Sequence, residues 1–167
     1  GILDAALSFD GVDDVVDCGN DAALSPEVLT VSAWVRPQAT PSRASIAHRG
    51  GSLFEADFDL LLASGQVRFE FGNDDPAIVD FVSARSNGRV AAEEWTLITA
   101  TRDGSEATIY INGIKDDAEA YSFPPAVRDL PLVIGEAPFE GMIDDVRLYD
   151  TALGEAKILA LFEAVSQ

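Results

Sequence analysis

At 167 residues, of which 47% are apolar, the chain can build one sizeable core but not two comfortable ones, so a single domain over residues 1–167 is expected. Its 29 acidic residues against 11 basic ones give a formal charge of -18, which excludes nucleic acid and anionic membrane surfaces as partners. No run approaches the roughly 18 continuous apolar residues of a membrane span, and Cys18, alone, can form no internal disulfide.

In chain order the elements read as short strands. Ala6–Asp17 opens the first strand pair and includes the Asp10-Gly11 turn, and Asn20–Pro26 is a polar loop with one helical turn. In Leu29–Arg36, apolar Leu29, Val31, Ala33 and Val35 alternate with Thr30, Ser32, Trp34 and Arg36, the period of a strand with one apolar face. Trp34, on the second face, reads as a covered core residue. Ala44–His48 is a short strand. Phe58–Ala63 and Val67–Phe71 form a hairpin through Ser64-Gly65-Gln66, with Arg68 and Glu70 opposite the apolar stripe.

Ile78–Arg85 is a further strand, flanked by the polar loops Gly72–Pro76 and Ser86–Gly88, of the kind that carry function on a rigid scaffold. Trp95–Arg102 and Glu106–Asn112 make the clearest hairpin, and Asn112-Gly113 signals another turn before an acidic segment. Leu132–Ile134 is brief and apolar. In Met142–Tyr149, alternate positions put Asp144 on one side with Val146 and Leu148, where a carboxylate needs a partner. Leu153–Val165 has helical spacing and is expected to close one end of the fold. Many strands and one helix predict an all-β, two-sheet antiparallel sandwich.

Five blocks, LSFDGVDDVVDCG from Leu7, LTVSAWVRP at Leu29–Pro37, EEWTLITATRDGSEATIYINGI at Glu93–Ile114, LVIG at Leu132–Gly135 and FEGMIDDVRLYDTAL from Phe139, fall in one order along nearly the whole chain. In this the sequence resembles the laminin G-like, or concanavalin A-like lectin and glucanase, jelly-roll superfamily. The resemblance implies a jelly roll with a short C-terminal helix and leaves function open, because the fold serves lectins, adhesion modules, glycan-binding modules and glycosidases alike. It also implies a structural calcium ion held where the last strand meets the opening turn. The matching positions are Asp144 and Asp10, with Asp13 and Asp14 nearby.

Glu55-Ala56-Asp57-Phe58-Asp59 is similar to the Glu-x-Asp-x-Glu motif of the superfamily's glucanases, but Asp59 stands where the motif has its acid/base Glu. One methylene less would misplace the proton, so the chain is expected not to be an enzyme. His48, the only His, has no Gly-x-Ser-x-Gly nucleophile elbow near it.

Sugar-binding jelly rolls combine an aromatic surface with polar groups that satisfy hydroxyls. Candidates here are His48 and Arg49 at a strand end, Arg85, and Tyr110, which faces away from its hairpin's apolar stripe; each also reads as surface or edge packing. The expected function is a noncatalytic carbohydrate-binding or adhesion module of a secreted or cell-surface protein. It would be monomeric when isolated, and its partner would be a polysaccharide, a glycoprotein glycan or a surface protein. The alternative is a structural spacer or protein–protein interaction domain that binds no glycan. Beginning at Gly1, the chain is expected to be a piece cut from a longer polypeptide. Its acidity fits either a surface adapted to high ionic strength or an acidic extracellular domain using a few carboxylates for calcium.

Overall fold

The computed structural model describes residues 5–50, 56–73, 80–136 and 138–165. The strands are β1 (Leu7–Asp10), β2 (Val16–Asp17), β3 (Leu29–Pro37), β4 (Ala44–Gly50), β5 (Ala56–Ala63) and β6 (Gln66–Gly72). They continue as β7 (Phe81–Arg85), β8 (Thr96–Arg102), β9 (Glu106–Ile111), β10 (Ile114–Ala120), β11 (Leu132–Ile134) and β12 (Glu140–Tyr149), followed by helix α1 (Glu155–Glu163). Among the described residues they form two six-stranded antiparallel sheets, a jelly-roll sandwich. The first sheet runs β1-β12-β3-β8-β9-β10 and the second β2-β11-β4-β5-β6-β7. No helix of the described residues is long and apolar enough to cross a membrane.

The alternation read from the sequence sets the core. Leu29, Val31, Ala33 and Val35 of β3 face Phe58, Leu60 and Leu62 of β5 and Val67, Phe69 and Phe71 of β6, all buried. Each large apolar side chain contributes about 1.5–3 kcal/mol. The β5–β6 hairpin turns at Ser64 and Gly65, with φ of 51° and 81°, and β9–β10 at Asn112 and Gly113, with φ of 50° and 79°. Two consecutive positive φ values suit a right-twisted two-residue hairpin.

Three local expectations are corrected. The acidic segment after Gly113 is an edge strand, β10, in register with β9 apart from a bulge between Lys115 and Asp117. Its sequence, Ile114–Ala120, carries Lys115, Asp116, Asp117 and Glu119 and gives it no apolar stripe. In β12 a bulge falls between Asp144 and Arg147, with Asp145 at φ 48°. Ile143 on one side of the bulge, and Val146 and Leu148 on the other, therefore all pack on the core, and Asp144 does not share their face. Helix α1 lies on the outer side of the first sheet rather than at the end of the sandwich. There Trp34, 3% exposed, stacks on Phe162 at 5.7 Å, and Tyr110, Leu153 and Ile158 form a second apolar cluster.

The sandwich closes tightly where Gly135 passes the first strand. At φ 76°, this glycine donates to the Ile46 carbonyl at 3.0 Å, and a Cβ there would run into the Phe9 ring.

Candidate functional site

The outer face of the second sheet is laid out by strand register. His48, Asp59, Glu70 and Ser83 stand opposite one another across β4, β5, β6 and β7, and the adjacent row is Ser45, Leu61, Arg68 and Arg85. These are the positions that alternate with the core residues Phe58, Leu60, Phe69 and Ala84, so the sequence that builds the core also builds the grid. His48, Asp59 and Glu70 are only 8%, 4% and 2% exposed, so charged groups form the floor of this face.

Charges at that depth require partners. Arg43, from the loop before β4, spans two of them: Nη2 donates to Asp59 Oδ2 and Nη1 to Glu70 Oε2, both at 2.9 Å. Ser45 donates to Asp59 at 3.1 Å and Ser83 to Glu70 at 2.8 Å. His48 Nε2 lies 2.9 Å from the Gly50 carbonyl and therefore carries a proton, while Nδ1 stands 3.7 Å from Asp59 Oδ2, an ionic approach rather than a hydrogen bond. Burial works against the imidazolium, but the charge of Asp59, that of Glu136 at 4.0 Å and the Gly50 carbonyl outweigh it, so His48 titrates above its ordinary value. Three polar atoms on this face are buried without a hydrogen-bond partner: His48 Nδ1, Asp59 Oδ1 and Arg68 Nε.

Arg49, next to His48, goes elsewhere. It is 1% exposed, its Nε donates to Asp57 Oδ2 at 3.1 Å and its Nη2 to the carbonyls of Asn20 and Arg128, and Ser25 donates to the same Asp57 oxygen at 2.6 Å. Beside it the buried Arg102 donates to the carbonyls of Pro26, Glu27 and Asp57 and lies over Phe71 at 5.1 Å. Burial pulls Arg102 down to about 10, against the charges of Tyr121, Asp57 and Glu27. These arginines plug the sandwich and tie its loops through backbone carbonyls, while Arg49 Nη1 and Asp57 Oδ1 are buried without a partner.

Of the sugar-binding candidates, the structure brings His48 and Arg85 to one face. It places Arg49 inside and Tyr110, 5% exposed, beneath α1 on the other sheet, where its ring packs with Leu153 and Ile158. Tyr110 does face away from its hairpin's core stripe, but that side is covered by the helix. Glu55 lies outside the described residues, and the other two carboxylates of its series, Asp57 and Asp59, are each engaged by an arginine and a serine.

The two ends of the chain do meet, through the pairing of β1 with β12. The register sets Asp10 opposite Glu140 and Asp144 opposite Trp34, so Asp10 and Asp144 are not brought together. Asp144 accepts the Asp145 N–H at 2.8 Å. Asp10, Asp13 and Asp14 instead cluster, all exposed, with carboxylate oxygens within 4.8 Å of one another. Hard oxygen donors of this kind suit calcium, which would need backbone or water oxygens to reach its usual six to eight.

A sequence profile of the concanavalin A-like lectin/glucanases superfamily matches residues 10–159. The chain belongs to this superfamily. No curated protein matches it in sequence. Solved superfamily-like structures do match in fold. Domain 4 of AbnA, an extracellular GH43 arabinanase from Geobacillus stearothermophilus in complex with arabinotriose, superposes with a TM-score of 0.75 at 20% identity over 93% of this chain and 75% of that one. The CBM40 of the Ruminococcus gnavus IT-sialidase, bound to α2,3 sialyllactose, gives 0.77 at 14% identity over 95% and 97%. The binding domain of botulinum neurotoxin serotype D gives 0.69 at 17% identity over 95% of this chain and 41% of that one. At these identities the likeness is one of fold.

Within this concanavalin A-like sandwich, sequence reading put Arg68 and Glu70 opposite the apolar stripe but did not join them to Arg43, Ser45 and Ser83 or name them as site residues. The phase of Arg68 and Glu70 against Val67, Phe69 and Phe71 was the available signal. Arg43 sits in a loop and carries none.

Proposed function

We propose that the chain is a noncatalytic carbohydrate-binding module of a secreted or cell-surface protein, and that it reads sugar through the outer face of its second sheet. The observation that carries this reading is the pair of buried, unpartnered atoms His48 Nδ1 and Asp59 Oδ1, opposite each other on β4 and β5. A buried polar group without a partner costs about 1–3 kcal/mol. Asp59 Oδ1 is an acceptor, and His48 Nδ1 accepts when the imidazole is neutral and donates when it is charged, so the hydroxyls of a sugar, which both donate and accept, match either state. The sugar complexes named for the arabinanase domain and the sialidase module support the same reading. So does the state of Asp57 and Asp59, each committed to an arginine rather than placed for proton transfer.

The test is a glycan array followed by calorimetry on the strongest ligand, with Asp59→Asn and His48→Gln as variants. Binding that falls about tenfold in either variant supports the reading. Absence of glycan binding to the folded chain overturns it.

Calcium belongs to the same proposal as a stabilising ion. Asp10, Asp13 and Asp14 would hold it, and its charge would offset the repulsion among three adjacent carboxylates.

A protein-interaction role has one feature in its favour. Leu7 and Val15 are each 50% exposed and Val12 72%, near a groove of about 330 Å³ lined by Leu7, Val16, Ile134, Ile143 and Val146. Retention of a surface protein by a chain that binds no glycan would favour that reading.

A further inference from the structure

We propose that Arg68 and Arg85 form a carboxylate receptor, so that the sugar read by this face is an acidic one carrying a single or sparsely spaced carboxylate. This rests on the outer face of the second sheet being the sugar site and names the ligand's class.

Arg68 on β6 and Arg85 on β7 are direct cross-strand partners on the outer side of the sheet. Like charges directly opposite one another destabilise a strand pair. The chain has 11 basic residues against 29 acidic ones, so two arginines facing each other are not a by-product of a basic surface. Neither is satisfied by its neighbours among the described residues. Arg68 reaches Glu70 Oε1 only at 3.6 Å, beyond hydrogen-bond distance, and its Nε is buried without a partner. Arg85 is exposed, and its Nε meets Ser83 Oγ at 3.5 Å, the limit of a hydrogen bond.

Glu70 is shared: its oxygens accept from Arg43 and Ser83 at 2.9 and 2.8 Å, and its ion pair with Arg68 is the longest of these contacts at 3.6 Å. The face thus holds three arginines, Arg43, Arg68 and Arg85, against two carboxylates, Asp59 and Glu70. With Glu136 standing beside His48, the positive excess is confined to the Arg68 and Arg85 end of the face, on a chain of charge -18. A guanidinium presents its donors as a planar fork matched to a carboxylate, which a lysine ammonium does not. Arg68 and Arg85 hold two such forks on adjacent strands of one face. Leu61, fully buried beside Arg68, leaves that row without another charge on the adjoining strand.

The chain's net charge narrows the ligand further. A dense polyanion would be repelled by the rest of the surface, whereas a single carboxylate at contact responds mainly to its immediate neighbours. The local field dominates once the Debye length is about 8 Å, near 0.15 M salt.

The experiment is calorimetry at about 0.15 M salt with sialyllactose and a mono-uronate oligosaccharide, each against its uncharged counterpart, lactose and the uronate methyl ester. Arginine Nε–H resonances are followed by NMR in parallel. The acidic ligands should bind at least about tenfold more tightly than the neutral ones and shift two arginine side-chain resonances. Arg85→Gln should abolish that preference. Its exposed side chain makes it the deciding variant if Arg68→Gln fails to fold.

Equal binding of acidic and neutral sugars, or an acidic preference that survives Arg85→Gln, overturns the carboxylate receptor and leaves the sugar-binding reading standing. A preference for sulfated over carboxylated sugars overturns it likewise. No binding of any of these sugars or of an array, by a folded chain, overturns both.

Discussion

The two outer faces of the sandwich are finished in opposite ways. On the first sheet Trp34 and Tyr110 point outward and are roofed by the chain's own helix, with Trp34 stacked on Phe162 and Tyr110 packed on Leu153 and Ile158. On the second sheet the outward positions are His48, Asp59, Glu70, Arg68 and Arg85, tied together by Arg43 and two serines. An apolar outer face asks for burial and finds it within the molecule. The charged face is held in place internally by Arg43 and two serines, and among the described residues no helix roofs its outward groups Arg68 and Arg85.

The largest effect should come from unsealing the first face. Trp34→Ala removes the Phe162 stack and is expected to cost about 3–5 kcal/mol in denaturant unfolding, with glycan binding by the folded fraction unchanged. If binding falls with stability, the two faces are not independent. Calcium should come next: the aspartates proposed to hold it lie at and just after the end of β1, so EDTA should lower the unfolding midpoint without altering glycan affinity, and calcium should restore it better than magnesium. At a hundredfold excess over its dissociation constant the ion would contribute about 2.7 kcal/mol, and Asp14→Ala should erase the difference. A midpoint indifferent to EDTA, with no metal by elemental analysis, removes the proposal.

On the charged face, Asp59→Ala strips a partner from Arg43 and Ser45. Because Arg43 remains partly in water, the expected cost is only about 1–2 kcal/mol, whereas glycan affinity should drop far more in proportion. Salt should pull the two properties apart: molar KCl screens the self-repulsion of a -18 chain and should raise the melting midpoint by about 2–4 °C, while weakening acidic-sugar binding. A midpoint that does not rise would argue against a surface adapted to saline conditions.

The smallest effect should be that of His48. Its pKa is raised in the folded state, so the stability it contributes is complete below about 6.5, the unfolded value, and is lost as pH rises through the folded value. His48→Gln should flatten that part of the pH profile, and a profile unchanged by the substitution would show that Asp59 does not hold the imidazolium.

Strand phase was legible because the sandwich core imposes a period of two: β3, β5, β6, β8 and β9 lie where alternation put them. It failed where the ladder is irregular. The bulge after Asp144 moved Val146 and Leu148 to the opposite phase, and β10, an edge strand without an apolar stripe, had no period to read. The site was half visible for a related reason. Phase says which side of its own sheet a residue occupies, but not what lies on that side. Tyr110 read as outward, yet that side of its sheet is roofed by α1. Arg43 reaches the grid from a loop and Ser83 through cross-strand register, relations that no local pattern encodes.

The placement of β12 between β1 and β3 bears on how the protein is made. Strand β1 has no in-sheet neighbour until the ribosome has delivered residues 140–149, and β2 must wait in the same way for β11. At about 5–20 residues per second, the apolar residues of the opening segment remain unpaired for roughly 7–28 s. During synthesis, then, the N-terminal strand is the part of the nascent chain most exposed to chaperone capture or to pairing with another copy. A chain that terminates early, before Glu140, would release the same edge permanently.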